Sequence, residues 1–337
     1  MKRYRSCLAI LVSCILCACT TPQPEPLKPL KVVVFPGGFN WPIWVAAEKG
    51  FFAANGLSPT VTPTPNSQAQ ITGLINGEFD VAMTAIDNLV AYKEGQVNVK
   101  IDGNDLIAVM GGDNGFLKLV AGKNIHSISN LKGKELSVDS LTTGYAFVLL
   151  EILERNGLFI NQDYKTVAAG GVMARYSSLL EGKHAATLLV SPFEVTAKAK
   201  GFNQLADASA ALGSYQGLVG GVRKSWARDN EKTLIGYIKA YQQALNWLYR
   251  PENKEEALSL FSKNVPNASR QAAEISYTVL LDPNTGFQRD AAIEIDGVKN
   301  VLSLRSKYGR PKKLLTDPAS YYESKYFDQA MRLDPSK

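Results

Sequence analysis

Cysteine is absent from nearly the whole chain. The four present, Cys7, Cys14, Cys17 and Cys19, fall within the first nineteen residues, and more than three hundred residues follow without another. The body that these residues form must hold its core without disulfides. Histidine is almost as scarce: His126 and His184 are the only two of 337 residues, and no thiol cluster accompanies them, which argues against a zinc site. Neither has a nucleophile or metal partner close in sequence, so both read as structural or surface residues. Positive charge is never concentrated. No Lys/Arg-dense stripe interleaved with aromatics occurs, so nucleic acid is not an expected partner. The formal net charge is +6, of which Lys2, Arg3 and Arg5 supply three with no acid before Cys19, leaving only +3 for the rest. No cofactor is expected.

The first residues read as an address. Lys2, Arg3 and Arg5 form a positive start, and the apolar run Cys7 to Cys17 has the length of a signal peptide and is too short to span a bilayer. Leu16-Cys17-Ala18-Cys19 resembles the bacterial lipoprotein processing box, in which cleavage precedes a cysteine carrying a diacylglyceryl group. The resemblance implies a signal peptide over 1–18 and lipidation at Cys19. Leu11-Val12-Ser13-Cys14 fits the same pattern but would leave too short an apolar segment, and an ordinary secretory signal with incidental cysteines is the alternative. Over 19–29, Pro22, Pro24, Pro26 and Pro29 lie among polar residues, a composition that stays extended and solvated. It reads as a tether between a membrane anchor and an exported body facing the periplasm or the cell exterior.

The body alternates strands and helices. Lys31 to Phe35 is a β-branched run opening into Pro36-Gly37-Gly38, a buried strand followed by a tight loop. Helices are expected over Pro42 to Lys49 and Gln68 to Asn76, and strands over Leu57 to Thr62, Asp80 to Thr84, Leu106 to Met110 and Phe116 to Ala121. Asp87 and Asn88 read as a helix cap. A second unit repeats the design. Strands are expected over Glu135 to Asp139, Tyr164 to Ala168 and Ala185 to Val190, with helices after Thr142-Thr143-Gly144 and over Met173 to Gly182. Gly77-Glu78-Phe79-Asp80 before VAMT matches Gly182-Lys183-His184-Ala185 before ATLLV. From Tyr215 onward the chain reads as mostly helical, with Leu234, Ile235, Ile238, Tyr241, Leu245 and Leu248 on one packing face. This order predicts an α/β fold of open, mostly parallel sheets covered by helices.

The succession of Gly-Gly-Phe-Asn-Trp-Pro after a strand, Glu48-Lys49-Gly50-Phe51-Phe52 and Asn55-Gly56-Leu57 resembles the start of substrate-binding proteins of bacterial ABC importers, in the nitrate/sulfonate/taurine and thiamine-precursor group. Similar stretches follow in order: LINGEFDVAMTAIDN, ISNLKGKELSV, LLEGKHAATLLVSP and YRPENKEEAL. The resemblance implies a two-lobe type 2 periplasmic-binding fold with two crossover strands. Its first lobe would comprise 30–117 and 220–337 and its second 118–219, with a solute held in the cleft between them. It further implies a monomeric receptor that captures a small organic solute and delivers it to an ABC permease.

Ligand loops are expected at the carboxyl ends of strands and at helix N-termini. Phe39 and Trp41 offer flat faces for a planar solute, with Asn40 between them, or else pack beneath the first helix. Ser67, Thr84 and Asn88 fall on neighbouring loops. Thr142, Thr143, Gly144 and Tyr145 open a helix whose unpaired N–H groups suit an anionic or electron-rich group, unless they form a plain cap. Gly171 and Met173 open another helix, and Pro192 follows a strand. Asp87 and Glu194 read as acids for an amine or a heterocyclic N–H, with capping as the alternative for Asp87. If both face the cleft, a purely anionic solute is disfavoured. Arg175 sits one turn into its helix and reads as a solvated residue. The solute is therefore expected to be a nitrogen heterocycle, a zwitterion, or a sulfonate or carboxylate.

An enzyme on the same fold is the competing reading. Pyrimidine synthases that resemble this architecture carry a cysteine-rich motif and a sacrificial histidine, which a cysteine-free body lacks. A lyase using Asp87 or Glu194 as base is the remaining variant. A structural or adhesive lipoprotein would not explain two matched halves with polar loops.

Overall fold

The computed structural model describes residues 26–113, 115–265 and 267–332. The expected signal peptide, the Cys19 lipid site and most of the tether lie outside the described residues. Among those described, no helix is long and apolar enough to cross a membrane.

Ten strands make two sheets of five. The first contains β1 (Lys28–Val34), β2 (Leu57–Pro63), β3 (Val81–Ala85), β4 (Leu106–Gly111) and β10 (Leu218–Arg223) in the order β2-β1-β3-β10-β4. The second contains β5 (Lys118–Ala121), β6 (Glu135–Val138), β7 (Lys165–Ala168), β8 (Ala186–Leu189) and β9 (Asn203–Asp207) in the order β7-β6-β8-β5-β9. In each sheet the fourth position holds the only strand that runs against its neighbours, β10 in the first and β5 in the second. Both are crossover strands: the chain leaves the first sheet after β4, enters the second as β5, and returns as β10.

Side-chain pattern explains each position. Val32, Val33 and Val34 of β1 are buried on both faces because β1 is flanked by parallel partners and covered by helices. The prolines of β2, Pro59 and Pro63, sit on the sheet edge, where a missing N–H breaks no ladder. The sheet begins earlier than the sequence suggests, since Lys28 and Pro29 already pair with Leu57 and Ser58.

The mostly helical reading from Tyr215 onward needs one correction. Leu218–Arg223 is an interior strand, concealed by Gly220-Gly221, which resembles a loop in sequence. The two glycines are there for space. A Cβ on Gly220 would lie 2.7 Å from Met110 Cγ, and one on Gly221 would lie 2.9 Å from Leu89 of the covering helix Ile86–Lys93. The partly exposed edge strand β9 also goes unread, because NQLAD has too few apolar residues to stand out. Helix Glu231–Leu248 buries the face formed by Leu234, Ile235, Ile238, Tyr241, Leu245 and Leu248. Helix Ile295–Tyr308 packs against both Ile86–Lys93 of the first lobe and Gly144–Arg155 of the second.

Gly220→Val forces a branched side chain against Met110. It is expected to lower stability by about 1–3 kcal/mol, read as a lower urea midpoint with an unchanged slope. An unchanged midpoint would contradict this account of β10.

Candidate functional site

The carboxyl ends of β1, β3, β6 and β8 converge on a cleft between the two sheets, with about 670 Å³ of empty space including its opening to solvent. Its walls are largely apolar. Phe35, Phe39 and Phe116 come from the first lobe and the crossing, while Tyr145, Val172 and Val190 come from the second. Three charged side chains line it: Asp113, Asp139 and Arg175.

Asp113 lies on the first crossing and binds the second. Its Oδ1 accepts the Gly115 N–H at 2.6 Å and its Oδ2 accepts the Leu218 N–H at 2.9 Å. Gln216 completes the stitch, donating from Nε2 to the carbonyls of Asp113 and Leu218, each at 2.9 Å. Burial pushes the Asp113 carboxyl up to about 6, with the backbone N–H donors opposing.

Asp139 follows β6 directly. Its Oδ2 accepts the Ser67 N–H from the opposite lobe at 3.3 Å, and its buried Oδ1 has no partner among the described residues. Arg175 departs from the expected solvated position, being only 5 % exposed. Its Nη1 donates to Thr187 Oγ1 at 3.2 Å and to the Leu188 carbonyl, while Nε has no partner among the described residues. Burial lowers the Arg175 pKa, with the Asp139 charge opposing. Val172, Arg175 and Leu179 form the buried stripe of helix Val172–Leu180, so i, i+3, i+7 spacing was the available signal for Arg175. Burial raises the Tyr145 hydroxyl pKa, so the phenol is neutral.

Seven of the sequence candidates line this cleft: Phe39, Thr84, Asn88, Thr143, Gly144, Tyr145 and Gly171. Asn88 Nδ2 donates to Thr84 Oγ1 at 2.9 Å, and the Gly171 N–H reaches the Pro65 carbonyl of the other lobe at 3.1 Å. Ser67 and Thr142 line an adjoining polar recess of about 370 Å³ that shares Asn88 and Thr143 with the cleft. Asn40, Met173 and Pro192 lie on a separate depression with Trp44, Tyr176 and Phe193. Asn40 Nδ2 is engaged by the Phe35 carbonyl at 2.6 Å.

Three candidates fall elsewhere for clear reasons. Trp41 is fully buried, its ring 4.5 Å from Phe261 and 5.8 Å from Tyr277, so its flat face belongs to helix packing. Asp87 is not a cap, because the cap of Ile86–Lys93 is Ala85. It is also not open to a solute amine: Arg305 binds both of its oxygens, Nε to Oδ1 at 2.6 Å and Nη2 to Oδ2 at 2.9 Å, and Oδ2 also accepts the Gly144 N–H at 2.5 Å. Glu194 is buried off the cleft wall, where Ser191 Oγ donates to its Oε1. Burial pushes Glu194 up to about 7, with the Ser191 donor opposing. His126 and His184 meet on an open groove at the far end of the second lobe. Among the described residues, no cluster of three or more His, Cys, Asp or Glu side chains is placed to hold a metal.

Similarities to known proteins agree with this architecture. No curated protein matches the chain. The periplasmic nitrate-binding protein NrtA of Synechocystis superimposes with a TM-score of 0.73 at 13 % identity, over 92 % of this chain and 90 % of that one. The alkanesulfonate-binding protein SsuA of Xanthomonas axonopodis pv. citri, bound to MOPS, gives 0.70 at 15 % identity, over 88 % and 99 %. A ligand-binding component of an ABC-type import system from Staphylococcus aureus, with zinc bound, gives 0.71 at 13 % identity, over 90 % and 99 %. At these identities the likeness establishes a shared fold, the two-lobe periplasmic-binding architecture. The family itself is fixed by sequence, since the model of the NMT1-like family matches residues 23–262, and the chain belongs to that family.

Proposed function

We propose that this protein is an extracytoplasmic solute receptor that binds a small organic molecule between its lobes and delivers it to an ABC permease, held at the membrane by lipid on Cys19. The observation that carries the reading is the apolar cleft with two unpartnered buried polar atoms on its wall, Asp139 Oδ1 and Arg175 Nε. Buried polar groups without partners are costly, and a solute supplying a donor and an acceptor would satisfy both. The solute contacts are proposed to come from Phe39, Thr84, Asn88, Thr143, Gly144, Tyr145 and Gly171, joined by Phe35, Asp139 and Arg175.

Charge narrows the solute class. Two carboxylates face one guanidinium that already donates twice to protein, so a bare inorganic oxyanion would meet more repulsion than attraction. The N-terminus of helix Gly144–Arg155, a natural anion site, is occupied by the Asp87 carboxylate. Aromatic walls favour a flat body. A planar nitrogen heterocycle or an aromatic zwitterion fits these constraints best.

The enzyme reading is less well supported. Among the described residues lining the cleft there is no cysteine, histidine, serine or lysine, Glu194 lies off its wall, and the one lining acid raised toward neutral, Asp113, has both oxygens held by the backbone N–H groups of the crossings.

Protein freed of bound solute by unfolding and refolding is expected to gain about 5 °C in melting temperature with an aminopyrimidine or an aromatic zwitterion at 100 times its Kd, and nothing with nitrate. A shift with nitrate alone, or conversion of a hit to product, would overturn the reading. Asp139→Asn is expected to weaken binding of such a hit about tenfold or more, whereas Trp41→Ala should cost about 3–5 kcal/mol of stability with Kd nearly unchanged. Titration calorimetry and urea unfolding separate the two effects.

Glu194 gives a pH test. Its folded pKa is raised, so between the ordinary carboxyl range and about 7 the folded state holds a proton that the unfolded chain has released. Its contribution to stability is therefore lost as pH rises through that window. Going from pH 8 to 5.5, wild type should gain about 2 kcal/mol relative to Glu194→Gln, with solute affinity alike in both. A parallel pH profile for the two proteins would contradict the assignment.

A further inference from the structure

Asp87 and Arg305 form a fully buried ion pair, 1 % and 0 % exposed at their side chains, within the first lobe. The pair has more bonding capacity than the first lobe uses. Within that lobe, Gln96 Oε1 accepts from Arg305 Nη1 at 3.1 Å. The remaining valences are met from the second lobe: the Thr142 carbonyl accepts from Arg305 Nη2, the Gly144 N–H donates to Asp87 Oδ2, and the Phe147 ring covers the guanidinium at 4.9 Å. Gly144 permits the approach, since a Cβ there would lie 2.2 Å from the Asp87 carboxyl carbon.

Each side leaves the other unsatisfied if they separate. The first N–H groups of helix Gly144–Arg155 have no partner within their helix, and the Asp87 charge sits where the positive end of the helix dipole points. The same helices meet again one turn later, where Lys307 Nζ and the Tyr308 hydroxyl reach Glu151 at 2.8 Å each, and Tyr308 also reaches Glu154 at 2.6 Å. By contrast, elsewhere around the cleft the lobes meet through single backbone bonds, Gly38 N–H to the Ser191 carbonyl at 2.8 Å and Gly171 N–H to the Pro65 carbonyl at 3.1 Å, and through uncharged packing of helix Arg270–Leu280 on helix Phe193–Ala199.

We infer that Asp87 and Arg305 form a solute-independent clasp that positions the Thr142–Tyr145 turn of the second lobe against the first, so that this wall of the cleft is assembled before solute arrives and the lobes part elsewhere around the cleft. The inference rests on the receptor reading for its purpose, not for its geometry. Arg305 is a positioning residue: it does not line the cleft, but it carries Thr143, Gly144 and Tyr145, which do. A preassembled wall lowers the ordering cost of binding.

Hydrogen exchange of the full chain, freed of solute, tests this directly. In wild type the amides of residues 142–147 should be protected without any solute. In Arg305→Met their exchange should rise about tenfold or more, as expected for loss of a charge-assisted bond, with Arg305→Lys between the two and helix Arg270–Leu280 unchanged. Should Arg305→Met fail to fold, Gly144→Ala keeps the ion pair and drives the turn away from it, and the same local rise is expected. Equal, fast exchange at 142–147 in wild type and Gly144→Ala, or a rise spread evenly over both lobes, would overturn the clasp. No solute enters the experiment, so a failed solute screen leaves this outcome intact, and the reverse holds as well.

Discussion

Two peptide crossings lie side by side between the sheets, and the protein depends on how they are joined. One connection would let the lobes tumble, whereas two that are hydrogen-bonded to each other restrict them to a hinge. Asp113 and Gln216 supply the join, each bonding the neighbouring crossing through its side chain. The crossings also explain the sheet order, because each sheet is completed by a strand that arrives from the other half and runs against its neighbours. The cleft is the space that this arrangement leaves between the carboxyl ends of the parallel strands.

Around that hinge the interface is unequal. On the side of helix Ile295–Tyr308 it is charged and redundant, buried at Arg305 and half-exposed at Lys307, with Arg305, Lys307 and Tyr308 all reaching the second lobe. Across the Gly38 and Ser191 loops it consists of a backbone bond and the packing of helix Arg270–Leu280 on helix Phe193–Ala199, and no ion pair among the described residues crosses there. Opening is easiest where the fewest bonds must break. Asp139 bonds Ser67 of the first lobe with one oxygen, while its other, buried oxygen has no partner among the described residues.

The architecture was legible in the sequence wherever burial leaves a pattern. Val32 to Val34, the repeat of VAMT and ATLLV, and the stripe from Leu234 to Leu248 all formed the elements they imply. Legibility failed where spacing carries no such record. Gly220-Gly221 looks like a loop, yet it is the close-packed centre of a strand. Asp87 follows a strand as a ligand or capping acid would, but its partner Arg305 lies 218 residues away, beyond the reach of any local pattern. Trp41 shows the same limit, since an aromatic next to a glycine loop reads alike whether it meets a solute or Phe261. Arg175 was recoverable, because it lies on the apolar stripe of its own helix. Asp113 was not, as its role depends on a crossing more than a hundred residues later.

The central claim is that the cleft between the lobes holds one small organic solute. Native mass spectrometry of the gently purified protein tests it most directly. The account predicts a single adduct of small-molecule mass, one per chain, that is released on denaturation and is depleted in the Asp139→Asn protein. An adduct undiminished in that variant, or a chain that never carries a small molecule even after exposure to cell extract, would contradict it.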